Sequence, residues 1–147
     1  MSTLRNPVFR TWETALTEHA TSVRTARRLV RDRLTSWGWD GDPVDDLVLI
    51  ASEFVTNAVV HACRGHGEVR LYLQEFDGAC RLEVWDPRSD LPLREPRPRR
   101  FDEGGRGIEL ARRLAVDFGV ITRCGEGKRV WARVLRAANS NVPSPES

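Results

Sequence analysis

The sequence predicts an α+β fold: a two-layer sandwich in which helices cover one face of a mixed, mainly antiparallel sheet. Three observations lead there. Two helix-period segments, 21–37 and 43–62, follow each other across a short glycine-containing break. The strand-period segments come mostly as hairpins around glycine turns. The chain has 147 residues, 40% hydrophobic and 30% charged, which is enough for one core and too little for two large domains.

Residues 1–8 read as a flexible arm, 9–136 as the domain, and 137–147 as a disordered tail of Asn, Ser and Pro. Val8 to Glu13 alternates enough for a short strand. In 21–37 the apolar residues Val23, Ala26, Leu29, Val30, Leu34 and Trp37 recur at three- and four-residue steps. Arg24, Arg27, Arg28, Arg31 and Arg33 fall between them, which reads as a solvated face rather than a binding patch. Asp42 stands where a cap belongs and Pro43 where a first helical residue does, so the second helix is expected over 43–62. Helix-stop glycines follow at Gly65 and Gly67.

Val69–Leu73 and Leu82–Trp85 alternate as strands, and Asp77-Gly78 between them is a hairpin signal. The stretch from Pro87 to Arg106 has no period and is rich in proline and charge. So long a structureless run inside a small domain reads as a lid or an insert. Gly107 to Phe118 resumes a helical pattern. Val120–Cys124 and Arg129–Leu135 close the domain as two strands around Gly125-Glu126-Gly127.

Composition removes several functions. The net charge is only +2, so the chain is not a polycation that neutralises many phosphates, and direct nucleic-acid binding through the Arg-rich helix is disfavoured. Cys63, Cys80 and Cys124 are odd in number and widely spaced, which fits neither a disulfide framework nor a structural zinc site. Met1 to Pro7 has no apolar signal core, and no apolar run approaches the roughly 18 residues of a membrane span. The expectation is a soluble cytoplasmic protein with no membrane partner.

The second helix carries the chemistry. It is apolar nearly all round and should be buried, yet Glu53, Asn57 and His61 stand at i, i+4 and i+8 on one face, with Asp46 close to the same line. A carboxylate and a carboxamide inside a packed helix cost free energy unless satisfied. The stripe therefore faces water, a partner or a polar cavity. If it is a site, Asn57 offers the hard oxygen that suits Mg²⁺, and Glu53 one turn away can take a proton. Glu103-Gly104-Gly105-Arg106-Gly107-Ile108 enters a helix, where glycines let backbone N–H groups approach an anion; read alone, it is a flexible hinge. Asp86 ends a strand before Pro87; it is either a turn aspartate or an acceptor for a purine amine.

Taken in order, Glu53-x-x-x-Asn57 on a helix, Asp86 after a strand and Gly105-x-Gly107 before a helix resemble the N, G1 and G2 boxes of the GHKL ATPases, whose ATP-binding fold is named after Bergerat. The segment Ser52 to Ala62 is the most specific part. It looks like the small single-domain branch, the anti-sigma-factor serine kinases and their actinobacterial relatives, over roughly residues 9–136. The resemblance implies ATP and Mg²⁺ as cofactors. It implies that Glu53 is the general base, that Asn57 holds Mg²⁺, and that Asp86 accepts from the adenine amine. Gly105, Arg106, Gly107 and Ile108 would cradle phosphate at the hinge of a lid over about 87–106, and His61 would lie near the phosphate end. The implied activity is phosphorylation of a STAS-like anti-sigma-factor antagonist, controlling a sigma factor, in a homodimer. The alternative is an ATP-binding module that sequesters a partner without catalysis. Two departures fall on the adenine side. Pro87-Arg88-Ser89-Asp90 replaces the usual glycines after Asp86, and Arg129 stands where relatives often carry Thr.

Overall fold

A computed structural model describes residues 8–17, 19–62, 67–87, 107–123, 125 and 127–136, excluding the side chains of 61, 62 and 123. Most of the expected arm, the lid from 88 to 106, Cys63, Cys124 and the tail lie outside the described residues. The elements are β1 (Phe9–Thr17), α1 (Thr21–Ser36), α2 (Asp42–Ala62), β2 (Glu68–Phe76), β3 (Ala79–Asp86), α3 (107–114), β4 (Asp117–Arg123) and β5 (Gly127–Leu135). The five strands form one sheet in the order β1-β2-β3-β5-β4, and all four pairings are antiparallel. The α+β sandwich expected from the sequence is the fold.

The core follows from the two periods. Every second residue of the strands faces the helices: Val69, Leu71 and Leu73, then Leu82 and Val84, then Ala132 and Val134, all buried. Register aligns them, with Leu73 opposite Leu82 and Leu82 opposite Ala132. Against them pack Ala26, Val30 and Leu34 of α1 and Leu47, Ile50, Ala51, Phe54 and Val55 of α2. Each large side chain among these contributes about 1.5–3 kcal/mol by leaving water. Cys80 sits in the same layer, and burial pushes its thiol up to about 12, so it packs as an inert hydrophobe.

The turn between the helices is built by local rules. Gly38, at φ 89°, and Trp39 cap α1 by donating to the carbonyls of Thr35 and Leu34. The carbonyl of Gly41 accepts from Val44 and Asp45, so Gly41 takes the capping place expected of Asp42 and α2 starts one residue earlier. The arginines of α1 are largely exposed, as a solvated face should be. Two of them also tie the helices together: Arg27 donates to Ser52 Oγ at 3.2 Å and Arg31 pairs with Asp45 at 3.1 Å.

Four expectations need correcting. α2 is not buried all round: Leu49 and Val60 are each 46% exposed and share the side that carries Asp46, Glu53 and Asn57. α3 ends at 114 rather than 118. The Ala115 amide closes the last turn on Ala111, and the Val116 amide then donates to Arg133. Arg133 holds Asp117 through two hydrogen bonds of 3.0 Å, which starts β4 three residues early. Finally, β1 runs to Thr17 because its whole length pairs with β2.

Opposite the helices the sheet carries stacked cations and rings. Arg81 lies 4.5 Å from the Trp131 ring and Arg129 4.5 Å from the Trp85 ring, with Glu83 between the two guanidiniums. At one end of the sheet Glu75, with its side chain only 2% exposed, meets Arg10 at 3.1 Å and Arg136 at 3.6 Å. Those arginines reach over the rings of Trp37 and Trp39 and donate to the carbonyls of Trp37 and Gly38. The cluster fastens the helix–helix turn to the sheet.

Candidate functional site

Because α2 is continuous to Ala62, Glu53 and Asn57 stand one turn apart on one face. Both are half-buried. Asp46 lies on the same side, and its carboxyl is held above the usual range by burial and by the charges of Asp42 and Asp45. His61 is in the last turn of α2; its side chain lies outside the described residues.

Gly107, the first described residue of α3, comes directly onto this stripe. A Cβ there would lie 3.1 Å from Asn57 Nδ2 and 3.6 Å from the Phe54 ring. The glycine segment and the Asn stripe, fifty residues apart in sequence, are therefore in contact. Ile108 follows, half-buried on α3; Gly105 and Arg106 lie outside the described residues.

Asp86 ends β3 on the helix-facing side, two residues on from Val84, and is 4% exposed. Its cross-strand partner is Lys128 of β5, whose other partner is Thr122 of β4. Burial lowers the Lys128 ammonium from its ordinary value, and the Asp86 charge opposes that. Arg129, by contrast, faces the other side of the sheet, where it donates to Glu83 at 2.7 Å. The sequence reading expected Arg129 near Asp86; the residue in register with Asp86 is Lys128. The signal was present in the alternation of β5, since Val130, Ala132 and Val134 point to the helices and Lys128 shares their parity.

Gly127 makes this closeness possible. It has φ 83°, and a Cβ would collide with the Asp86 carbonyl and with Pro87. Gly127→Ala is expected to lower stability by about 2 kcal/mol or more, combining left-handed backbone strain with a backbone clash. Urea denaturation measures it; an unchanged midpoint would show that the two strand ends separate freely.

The profile of the histidine kinase-like ATPase domain matches residues 16–134. The chain belongs to that family. The match spans α2, Asp86 and Gly107 alike, so the histidine kinase-like ATPase domain includes every described residue of the stripe and the strand end. The fold is also similar to a crystal structure of the RsbU and RsbW domains of Rv1364c from Mycobacterium tuberculosis. That likeness has a TM-score of 0.67 at 23% identity, and covers 86% of this chain and 32% of the other. No curated protein matches. Among the described residues no helix is long and apolar enough to cross a membrane.

The residues suit a magnesium-bound triphosphate. Among the described residues no group of three His, Cys, Asp or Glu side chains forms a cation site of its own. The stripe instead offers the Asn57 carboxamide and the Glu53 carboxylate one turn apart, and a side chain at position 107 would crowd Asn57. Mg²⁺ commonly takes one or two protein ligands and completes its octahedron with phosphate and water.

Proposed function

We propose that this chain is an ATP- and Mg²⁺-dependent serine/threonine protein kinase that phosphorylates an anti-sigma-factor antagonist protein and so controls a sigma factor. The observation that carries the reading is the contact of Gly107 with Asn57, within a chain of the histidine kinase-like ATPase family. That contact joins the candidate metal ligand to the glycine segment where phosphate would lie.

In this reading Asn57 holds Mg²⁺ through its carboxamide oxygen, and Glu53, one turn away, takes the proton of the substrate hydroxyl. Bound Mg²⁺ supplies charge neutralisation across the phosphate oxygens. Asp86 accepts a hydrogen bond from the adenine amine. Gly105, Arg106, Gly107 and Ile108 receive the phosphates, with His61 near that end. Positioning and neutralisation carry most of a phosphoryl transfer, so one base and one metal ligand suffice. The active species is a homodimer in cytoplasm; β1, as an edge strand, and α1 are the elements offered for pairing.

Calorimetric titration with ATP, with and without Mg²⁺, tests the nucleotide site. Wild type is expected to bind ATP more tightly with Mg²⁺, and Asn57→Ala to lose the Mg²⁺-dependent part, about tenfold or more for a charged ligand contact. Equal Mg²⁺ dependence in both proteins would remove Asn57 from the metal.

A further inference from the structure

Lys128 is the single lysine of the chain, and its position is unusual for a lysine. It faces the helix layer in register with Asp86, between that carboxylate and Thr122. Other strand residues of this parity nearby are Val84 and Val130, both apolar. Gly127 presses the start of β5 onto the backbone of Asp86 and Pro87, which holds the two strand ends close, and the Asp86 charge acts on the Lys128 ammonium. Asp86 is 4% exposed and Lys128 is half-buried, which leaves the lysine as the more accessible member of the pair. Burial alone drives its ammonium towards the neutral form, and Asp86 counters that. The chain thus bears the cost of desolvating a lysine at the one place where the proposed function puts a base.

A carboxylate beside an ammonium presents an acceptor and a donor side by side. Adenine offers the complement on one edge: the exocyclic amine donates and the adjoining ring nitrogen accepts. A carboxylate has lone pairs for both a lysine and an amine, and a lysine has three donors, so each can serve its neighbour and the base together. Guanine reverses both groups on that edge. Its carbonyl would meet Asp86 and its ring N–H would meet Lys128, two repulsions in one contact.

We propose that Lys128 reads the nucleotide base: it donates to the purine ring nitrogen while Asp86 accepts from the adjoining amine, so that the pair selects adenine over guanine. This rests on the reading that the chain binds ATP at Asp86.

The test is a cycle between protein and ligand, read by calorimetry. Its arms are wild type and Lys128→Met, each with ATP and with 1-deaza-ATP, in which the ring nitrogen is replaced by C–H. Wild type is expected to lose about tenfold or more on the deaza substitution, as for a hydrogen bond to a charged group. Lys128→Met is expected to bind both nucleotides equally and to discriminate less against GTP. Equal losses in both proteins would overturn the role of Lys128 and leave the ATP reading standing. Wild type that binds no nucleotide would overturn that reading and this inference with it. If the Met variant fails to fold, the wild-type protein decides alone. Bound ATP is expected to slow trinitrobenzenesulfonate labelling of Lys128, mapped by peptide mass. Unchanged labelling, or equal affinity for ATP and 1-deaza-ATP, rejects the contact.

Discussion

Under the proposed function, Glu53→Gln is expected to cut phosphoryl transfer to an antagonist protein by about 10²–10⁴-fold, the usual contribution of a positioned general base, while leaving ATP affinity nearly unchanged. The amide keeps the size and polarity of the carboxylate but has no basic oxygen to receive a proton. Glu53 sits half-buried on α2, one turn before Asn57, so its loss removes no core packing. Single-turnover transfer of labelled phosphate measures the rate, and calorimetry the affinity. If wild type and the Gln variant transfer phosphate equally, Glu53 is not the base. If both bind ATP and neither transfers, the chain is the sequestering module of the alternative reading. A fall in affinity equal to the fall in rate would place Glu53 in nucleotide binding.

Arg10→Ala is expected to cost about 3 kcal/mol of folding stability, the low end for removing one partner of a buried ion pair. The carboxylate it leaves behind is 2% exposed and, among the described residues, keeps an ion pair only with Arg136, at 3.6 Å. Arg10 itself is partly solvated, which holds the figure to the low end. The variant also loses the stack on Trp37 and the hydrogen bond to its carbonyl. Glu75→Leu is expected to cost less, because it buries no lone charge and both arginines reach water. Urea unfolding of the two variants gives the order. Equal costs, or a larger cost for Glu75→Leu, would mean that the carboxylate is not the group at risk.

Periodicity accounts for most of the fold. Steps of three and four define α1 and α2, and alternation defines β2, β3 and β5, because these patterns are the geometry of one wetted and one dry face. Asp77-Gly78 fixed a hairpin because φ reaches 50° at Asp77 and 84° at Gly78, which only a short menu of residues accepts. The end of α3 was not readable. Leu114, Ala115 and Phe118 satisfy the helical period, but Val116 and Asp117 bond instead to Arg133, a residue of another strand.

The site divides in the same way. Local spacing alone put Glu53 and Asn57 on one face, since four residues make about one turn, and motif order alone named Asp86 and Gly107 as their companions. Only the tertiary structure put Gly107 against Asn57 and Lys128 beside Asp86, and sent Arg129 to the far side of the sheet. Spacing within one element is a property of the chain. Contact between elements depends on register and packing, where one residue of slip exchanges the two faces of a strand.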